Sequence, residues 1–343
     1  MPQSLQKIMI TRSGGPEVLD LQTAPPLTPS FGEALVAVKA AGLNFADVLA
    51  RQGLYPDAPP LPTCMGYEFS GVITEVGNQE DKQWIGKPVF GLSRFQAQAT
   101  QVCVPLHQVF EKPPSLSFEQ AAAIPVNYLT AWQLLVVMGA LQPSETVLIH
   151  NAGGGVGLAA IEIAHHIGAN IIGTSSPSKH PFLKERGVEH CVDYRNQDWS
   201  AEIQRITQDR GVELVIDPIG GNHWQKSYEA LRSTGRLGMF GISTASKTGW
   251  VGKVKLLKTA AQMPFFHPIS LMNQNKAVFG VNMGHLWHEP DKIRLWMQSI
   301  LEGVAQGWIN PHIDRVFTFR QAAEAHRYLE ERRNKGKVIL TPE

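Results

Sequence analysis

At 343 residues the chain is longer than one hydrophobic core usually serves, so two domains are expected. Apolar residues make up 43% and charged residues 18%, a composition that suits a folded, soluble protein and excludes a disordered one. Lys and Arg number 31 against 30 Asp and Glu, and the net charge of +1 argues against a chain built mainly to neutralise nucleic-acid phosphates.

The 3 cysteines, Cys64, Cys103 and Cys191, are far apart and form no CxxC pair, so neither a disulfide framework nor a thiolate zinc knuckle is expected. Residues 1–10 lack the apolar run of a secretory signal. No stretch approaches the ~18 consecutive apolar residues of a membrane span. A reduced, cytoplasmic setting is the expectation.

In chain order, the first part is rich in proline: 15 of the 23 fall at or before Pro143. Proline removes a ladder donor and favours turns and edges, so this part is predicted to hold short strands and irregular loops. Ala34–Ala41 and Phe69–Val76 carry strand-like apolar bias, and Phe45–Gln52 is predicted helical. The pattern changes near residue 118, with helices predicted over Phe118–Ile124 and Leu129–Met138. Strands are then predicted at Thr146–His150, Asn170–Thr174, Cys191–Tyr194, Glu213–Asp217, Arg236–Gly241 and Ala277–Val281, with helices between them. Alternation of this kind implies right-handed crossovers and a parallel sheet covered on both faces. After Asp291 come a long amphipathic helix, a strand near Val316–Phe319, a helix over Gln321–Arg333 and a closing strand at Gly336–Leu340. The predicted class is α/β: a β-rich domain over 1–126 and 286–343, and a doubly wound parallel-sheet domain over 127–285.

The run Ala152-Gly153-Gly154-Gly155-Val156-Gly157 follows a predicted strand and opens a predicted helix. That is the context of a dinucleotide-binding turn, in which small residues admit a pyrophosphate to helix N–H groups. The competing reading is a packing turn without ligand. The second strand runs into Gly173-Thr-Ser-Ser-Pro-Ser-Lys179 with no carboxylate. Hydroxyls and a lysine suit a 2′-phosphate, which favours NADPH over NADH.

These residues resemble the medium-chain dehydrogenase/reductase superfamily, in its zinc-independent quinone oxidoreductase branch. Gly42-Leu-Asn-Phe-Ala-Asp47, Arg51-Gln-Gly-Leu-Tyr-Pro56, Gly66-Tyr-Glu-Phe-Ser-Gly-Val72, Pro125-Val-Asn-Tyr-Leu-Thr-Ala131, the glycine turn and Gly336-Lys-Val-Ile-Leu340 carry the match across nearly the whole chain. Asn127-Tyr-Leu-Thr-Ala131, Ser178-Lys-His180 and the segment Gly307 to Asp314 are similar to a VAT-1-like subgroup. The resemblance implies a GroES-like catalytic domain, a Rossmann domain and an active cleft between them.

In zinc-using relatives a Cys and a His stand where this chain has Asn44 and Tyr67, and another Cys falls near Asn127; Glu68 remains. One carboxylate cannot hold zinc, so no metal is expected. The resemblance also implies that Lys179 and Tyr194 hold the adenosine phosphate, with Ser176 a third contact. It places Thr130, Phe240, Gly241, Ile242, Phe279 and Val281 near the nicotinamide and Asn334 at a weaker cofactor contact. The candidate catalytic residues are Asn44, Tyr55 and Tyr67. Asn44 lies beside the ribose and the reacting carbonyl in this reading, its amide an oxyanion donor; the bland alternative is a helix N-cap. Tyr55 is a substrate-orienting group or loop packing, and Tyr67 a pocket wall. Asp47 reads as structural.

The window 230–288 holds Arg232, Arg236, Lys247, Lys253, Lys255, Lys258 and Lys276 and no carboxylate, while the rest of the chain carries 24 cations against 30 anions. Trp250, Val251, Val254, Leu257 and Ala261 follow helical spacing inside it, and the segment Pro264–Pro268 breaks that helix. A lid that concentrates anionic NADPH, a peripheral contact with anionic lipid, and dimer packing or a solvated face are the three readings. The expected activity is NADPH-dependent reduction of a quinone, or of an enone or 2-alkenal double bond. The alternative is an NADPH-binding protein that acts through a membrane or partner. A homodimer formed by Rossmann edge strands is expected by analogy, and no nucleic-acid partner.

Overall fold

The computed structural model describes residues 5–243 and 249–343. They fall into two compact units: 5–126, 249–253 and 284–343 in one, and 127–243 and 254–283 in the other.

The first unit is built on the strand Glu33–Leu43, whose alternating Ala34, Val36 and Val38 are buried in its core. Lys337–Thr341 and Glu68–Val76 pair antiparallel with it, and Gln101–Pro105 pairs with its first half. Pro88–Leu92 and Val109–Glu111 extend the sheet on one side, and Ile313–Thr318 on the other. The apolar side chains of Phe69, Val89, Val104, Phe317 and Leu340 fill the core. A second, three-stranded sheet runs Leu19–Ala24, Leu5–Ile10, Thr63–Cys64. The helix Phe45–Arg51 leaves the end of the central strand at Asn44.

The second unit is a six-stranded parallel sheet in the order His190–Asp193, Asn170–Ser175, Thr146–Ile149, Val212–Asp217, Leu231–Met239, Ala277–Gly280. Val147, Leu148 and Ile149 are all buried, as expected for a strand covered on both faces. Strand order reverses between Thr146–Ile149 and Val212–Asp217, the switch point where doubly wound sheets bind ligands at strand C-termini. The helix Gly155–Ile167 follows the first of these strands and ends on Gly168 in the left-handed region. This mixed α/β architecture, a GroES-like sheet unit with a Rossmann unit, agrees with the class read from the sequence.

Several element limits differ from expectation. The fifth strand runs Leu231–Met239, so Phe240–Ser243 is not strand: the ladder with Ala277–Gly280 ends at Met239. Val281 lies just past its own strand for the same reason. The predicted helix Leu129–Met138 is an α-helix over Pro125–Trp132 that widens into a π-turn at Gln133–Val137. The helix Gly249–Ala261 forms, but Val254 and Leu257 are exposed, so its helical spacing does not mark a core face. Lys247 and the side chains of Trp250, Val251 and Lys253 lie outside the described residues. Among the described residues, no helix is long and apolar enough to cross a membrane.

Candidate active site

Asn44 opens the helix Phe45–Arg51 in a capping box with Asp47, whose carboxylate accepts the Asn44 backbone N–H at 2.8 Å. The same carboxylate accepts from Gly66 N–H at 3.3 Å. Asp47 is fully buried, and burial pushes its pKa up to about 7. On the other side of Asn44, its Nδ2 donates to Glu68 Oε1 at 2.8 Å and its Oδ1 accepts from the Lys337 ammonium at 2.7 Å. Lys337 also donates to Glu68 Oε1, and Glu68 Oε2 accepts Val126 N–H at 2.7 Å. Asn44 therefore caps a helix and sits in a buried charge network at once; one of its amide hydrogens is committed to Glu68.

Tyr67 packs in a small cluster with Ile10, Val18, Ala50 and Met65, against which Tyr55, Phe95 and Trp287 also lie. Tyr55 meets the Tyr67 ring edge-on at 6.3 Å, and Phe95 lies 5.2 Å from it. Tyr67 is 7% exposed, yet its hydroxyl has no hydrogen-bond partner. Burial drives its pKa far above the usual phenol value, and the nearby Tyr55 phenol pushes it further without forming a bond of normal geometry. Tyr67 is thus held as the neutral phenol. Phe95 and Gln96 are consecutive non-glycine residues at φ 72° and 65°, a strained pair that sets the Phe95 ring beside Tyr67. Phe95 carries no sequence signal, because nothing in Ser93-Arg-Phe-Gln96 announces left-handed backbone.

In the second unit, Ala152 is buried and Gly154 caps the helix Gly155–Ile167. A Cβ on Gly155 would sit 2.6 Å from Asn127 Nδ2, and one on Gly153 would sit 2.7 Å from Lys179 Cδ. Gly157 has no room either, packed onto the carbonyls of Asn151 and Ala152. Val156 follows Gly155 in the first turn of the helix. Lys179 and Ser176, both buried, end the segment after Asn170–Ser175, and the lysine stem packs against the glycine turn at Gly153. Asn127 and Thr130, also buried, lie three residues apart on Pro125–Trp132. In the sequence Asn127 stands out as a missing ligand position and as part of the resemblance motif 125–131; its contact with the glycine turn has no local signal. Tyr194 is packed on the sheet core, with the Arg195 guanidinium 5.9 Å from its ring.

Phe240, Gly241 and Ile242 follow the loop 217–220: Phe240 N–H donates to Asp217 O, a Cβ on Gly241 would approach Pro218 O, and Ile242 abuts Gly220. Phe279 turns its ring onto Gly238 within the sheet, and Val281 is buried. Asn334 donates to Gly336 O at 2.7 Å, a turn contact within the first unit.

One cluster has no signature in the sequence. His150, Asp217 and His223 bring three possible metal ligands within 4.8 Å, the one such group among the described residues. The Ser227 hydroxyl lies 2.7 Å from Asp217 Oδ2, 3.2 Å from His150 Nε2 and 3.5 Å from His223 Nδ1. It occupies the space an ion would need. His150 is buried, its pKa pushed down to about 3 by burial, and Thr174 Oγ1 meets its Nδ1 at 3.0 Å. His223 Nδ1 pairs with Asp217 at 2.6 Å. The cluster is a closed polar network that ties three strand ends together.

Comparison with known proteins places this geometry. The Zinc-binding dehydrogenase family description matches residues 186–340, and the Alcohol dehydrogenase GroES-like domain description matches residues 30–129. The chain belongs to the medium-chain dehydrogenase/reductase superfamily. Within it, the chain groups with the VAT-1 homologues: human synaptic vesicle membrane protein VAT-1 homolog is 37% identical over 341 residues, covering 98% of this chain and 86% of that protein. Among solved structures, Escherichia coli quinone oxidoreductase complexed with NADPH superimposes with a TM-score of 0.84 at 28% identity, covering 98% of this chain and 100% of that one. CurK enoyl reductase gives 0.84 at 28% identity, covering 99% and 100%. The fold is thus shared with quinone oxidoreductases and enoyl reductases.

Proposed function

We propose that this chain is an NADPH-dependent reductase that acts on a quinone or similar conjugated carbonyl. The observation that carries the reading is the buried Tyr67 hydroxyl without a partner, set among Tyr55, Phe95 and Trp287. A buried donor left unmade costs about 1–3 kcal/mol, which a substrate carbonyl oxygen would recover. The aromatic neighbours suit a flat, electron-poor ring.

The second unit supports the cofactor. Gly153 and Gly155 carry no side chain of their own where Lys179 and Asn127 press against the turn, and the buried Lys179 brings an amine to it. Ser176 and Lys179 are assigned to the 2′-phosphate, with Tyr194 flanking them, and Thr130, Phe240, Ile242 and Val281 to the nicotinamide end. When bound, NADPH supplies the hydride. Tyr67 donates a hydrogen bond to the oxygen that gains charge, and Asn44 offers a second amide hydrogen to the same end. The reduced oxygen of a quinone can take its proton from water, so the scheme needs no dedicated protein acid. Tyr55 orients the ring. No metal enters this scheme, because Asn44, Tyr67 and Asn127 offer no thiolate or imidazole.

NADPH oxidation against ortho- and para-quinones and 2-alkenals tests the reading. Turnover with a quinone is expected, with Tyr67→Phe lowering kcat roughly 10- to 100-fold and leaving the KM for NADPH unchanged. Preference for 2-alkenals would move the assignment to a double-bond reductase. Tight NADPH binding with no turnover would overturn it in favour of a second reading. That reading, an NADPH-binding protein with a peripheral membrane role, draws on Leu257, Phe265, Ile269 and Met272, all exposed in the window without carboxylates. Flotation with anionic liposomes tests it. A cytoplasmic setting is common to both readings.

A further inference from the structure

The Asn44 amide has two possible orientations, and its partners allow one. An ammonium can only donate and an ionised carboxylate can only accept. Lys337 therefore fixes the Asn44 oxygen, and Glu68 fixes the Asn44 nitrogen. Asp47 holds the backbone of the same residue. Glu68 is fully buried and Lys337 nearly so. A buried ion pair of this kind gives little net stability over an apolar pair of similar size, because both ions lose their water. Its evident product here is orientation. The second Nδ2 hydrogen of Asn44 finds no acceptor among the described residues, and Asn44 is only half-buried, so one N–H is left with its direction set.

We propose that Lys337 and Glu68 are positioning residues, which lock the Asn44 amide so that its one uncommitted N–H serves as a donor to the reacting oxygen. The inference rests on the carbonyl-reductase reading. Neither residue touches substrate; each acts through Asn44. A small misplacement of such a donor is enough to lower turnover by about tenfold or more.

The first measurement uses the wild-type protein. In 15N spectra, with the Asn44 side-chain signals identified by their loss in Asn44→Ser, one Nδ2 proton should exchange slowly, held by Glu68, and the other quickly. Exchange of both at the rate of a free amide would overturn the proposal whatever the activity. The second uses Lys337→Met, Glu68→Gln and their combination. Lys337→Met alone leaves a buried unpaired carboxylate and should lower Tm. The double variant is neutral and should recover Tm. Its kcat should nevertheless stay at least about tenfold down with the KM for NADPH unchanged, because an amide in place of the Glu68 carboxylate can pair with either orientation of Asn44. A double variant with wild-type Tm and wild-type kcat would show a purely structural pair and sink the proposal. A wild-type protein that turns over no acceptor would defeat the reductase reading, while the exchange rates would still decide whether the amide is locked.

Discussion

Lys179 and Gly153 are in contact across the mouth of the Rossmann sheet: the lysine side chain runs so close to the glycine that a Cβ there would lie 2.7 Å from Lys179 Cδ. The glycine turn and the end of the second strand are therefore packed together, which the assignment of the 2′-phosphate to Lys179 requires. Gly153→Ala should push the lysine stem aside and Lys179→Ala should remove the charge. Both should raise the Kd for NADPH about tenfold or more while changing that for NADH far less, as measured by quenching of cofactor fluorescence. Equal losses for the two cofactors would refute the 2′-phosphate assignment.

Asp47 gives an unusual pH dependence. Its pKa rises from 3.8 in a free side chain to about 7, chiefly through burial. The folded state thus binds the proton more tightly than the unfolded state, and its stabilising effect is full below 3.8 and lost as pH rises through about 7. Within this window the Asp47 contribution to Tm should fall with rising pH. Asp47→Asn should lower Tm overall, since one of two N–H acceptors is lost, and should flatten that slope. An unchanged slope would mean that the Lys337 ammonium keeps Asp47 ionised.

His326 acts in the opposite direction. It is fully buried, both ring nitrogens lack partners, and burial together with the neighbouring Arg51 pushes its pKa down to about 3. The unfolded chain binds this proton near 6.5, so stability is lost as pH falls from there towards 3. His326→Leu should raise stability by about 1–3 kcal/mol and soften the acid limb of the Tm–pH curve. A lower Tm would point to water bridging His326 and Arg51.

Among the described residues, the strand Ala277–Gly280 pairs on one side only, with Leu231–Met239, and ends the parallel sheet. An open edge of backbone donors and acceptors invites a second copy. Light scattering after size exclusion should give twice the chain mass of 37.8 kDa, and Ala277→Lys should shift it towards the monomer. A monomeric wild type removes edge pairing from the account.

The α/β half was readable because each of its features is local. Apolar strands, a glycine turn, and Ser176 and Lys179 three residues apart all fall within short windows, and backbone geometry follows from them. The other, GroES-like half was readable only in part. Asn44, Tyr55 and Tyr67 stood out by resemblance, but the partners that give Asn44 its direction lie 24 and 293 residues away, and no spacing rule reaches that far. Phe95 depends on two strained backbone positions whose side chains permit ordinary conformations equally well. The helix over 249–261 shows the converse error: period 3.6 was present, yet Leu257 faces outward, because periodicity tells which residues share a face and not what covers it.

The strand Lys337–Thr341 lies between Ile313–Thr318 and Glu33–Leu43, although it is translated after both. On the ribosome, all six strands of the parallel sheet emerge while the other sheet still has a gap beside its longest strand. The nascent protein must hold that gap open, with the Leu43 edge unpaired and Glu68 without its cation, until Lys337 arrives. Arrested chains released before this strand should therefore show a protease-resistant α/β fragment attached to a digestible remainder, and that interval is when a chaperone would be most needed.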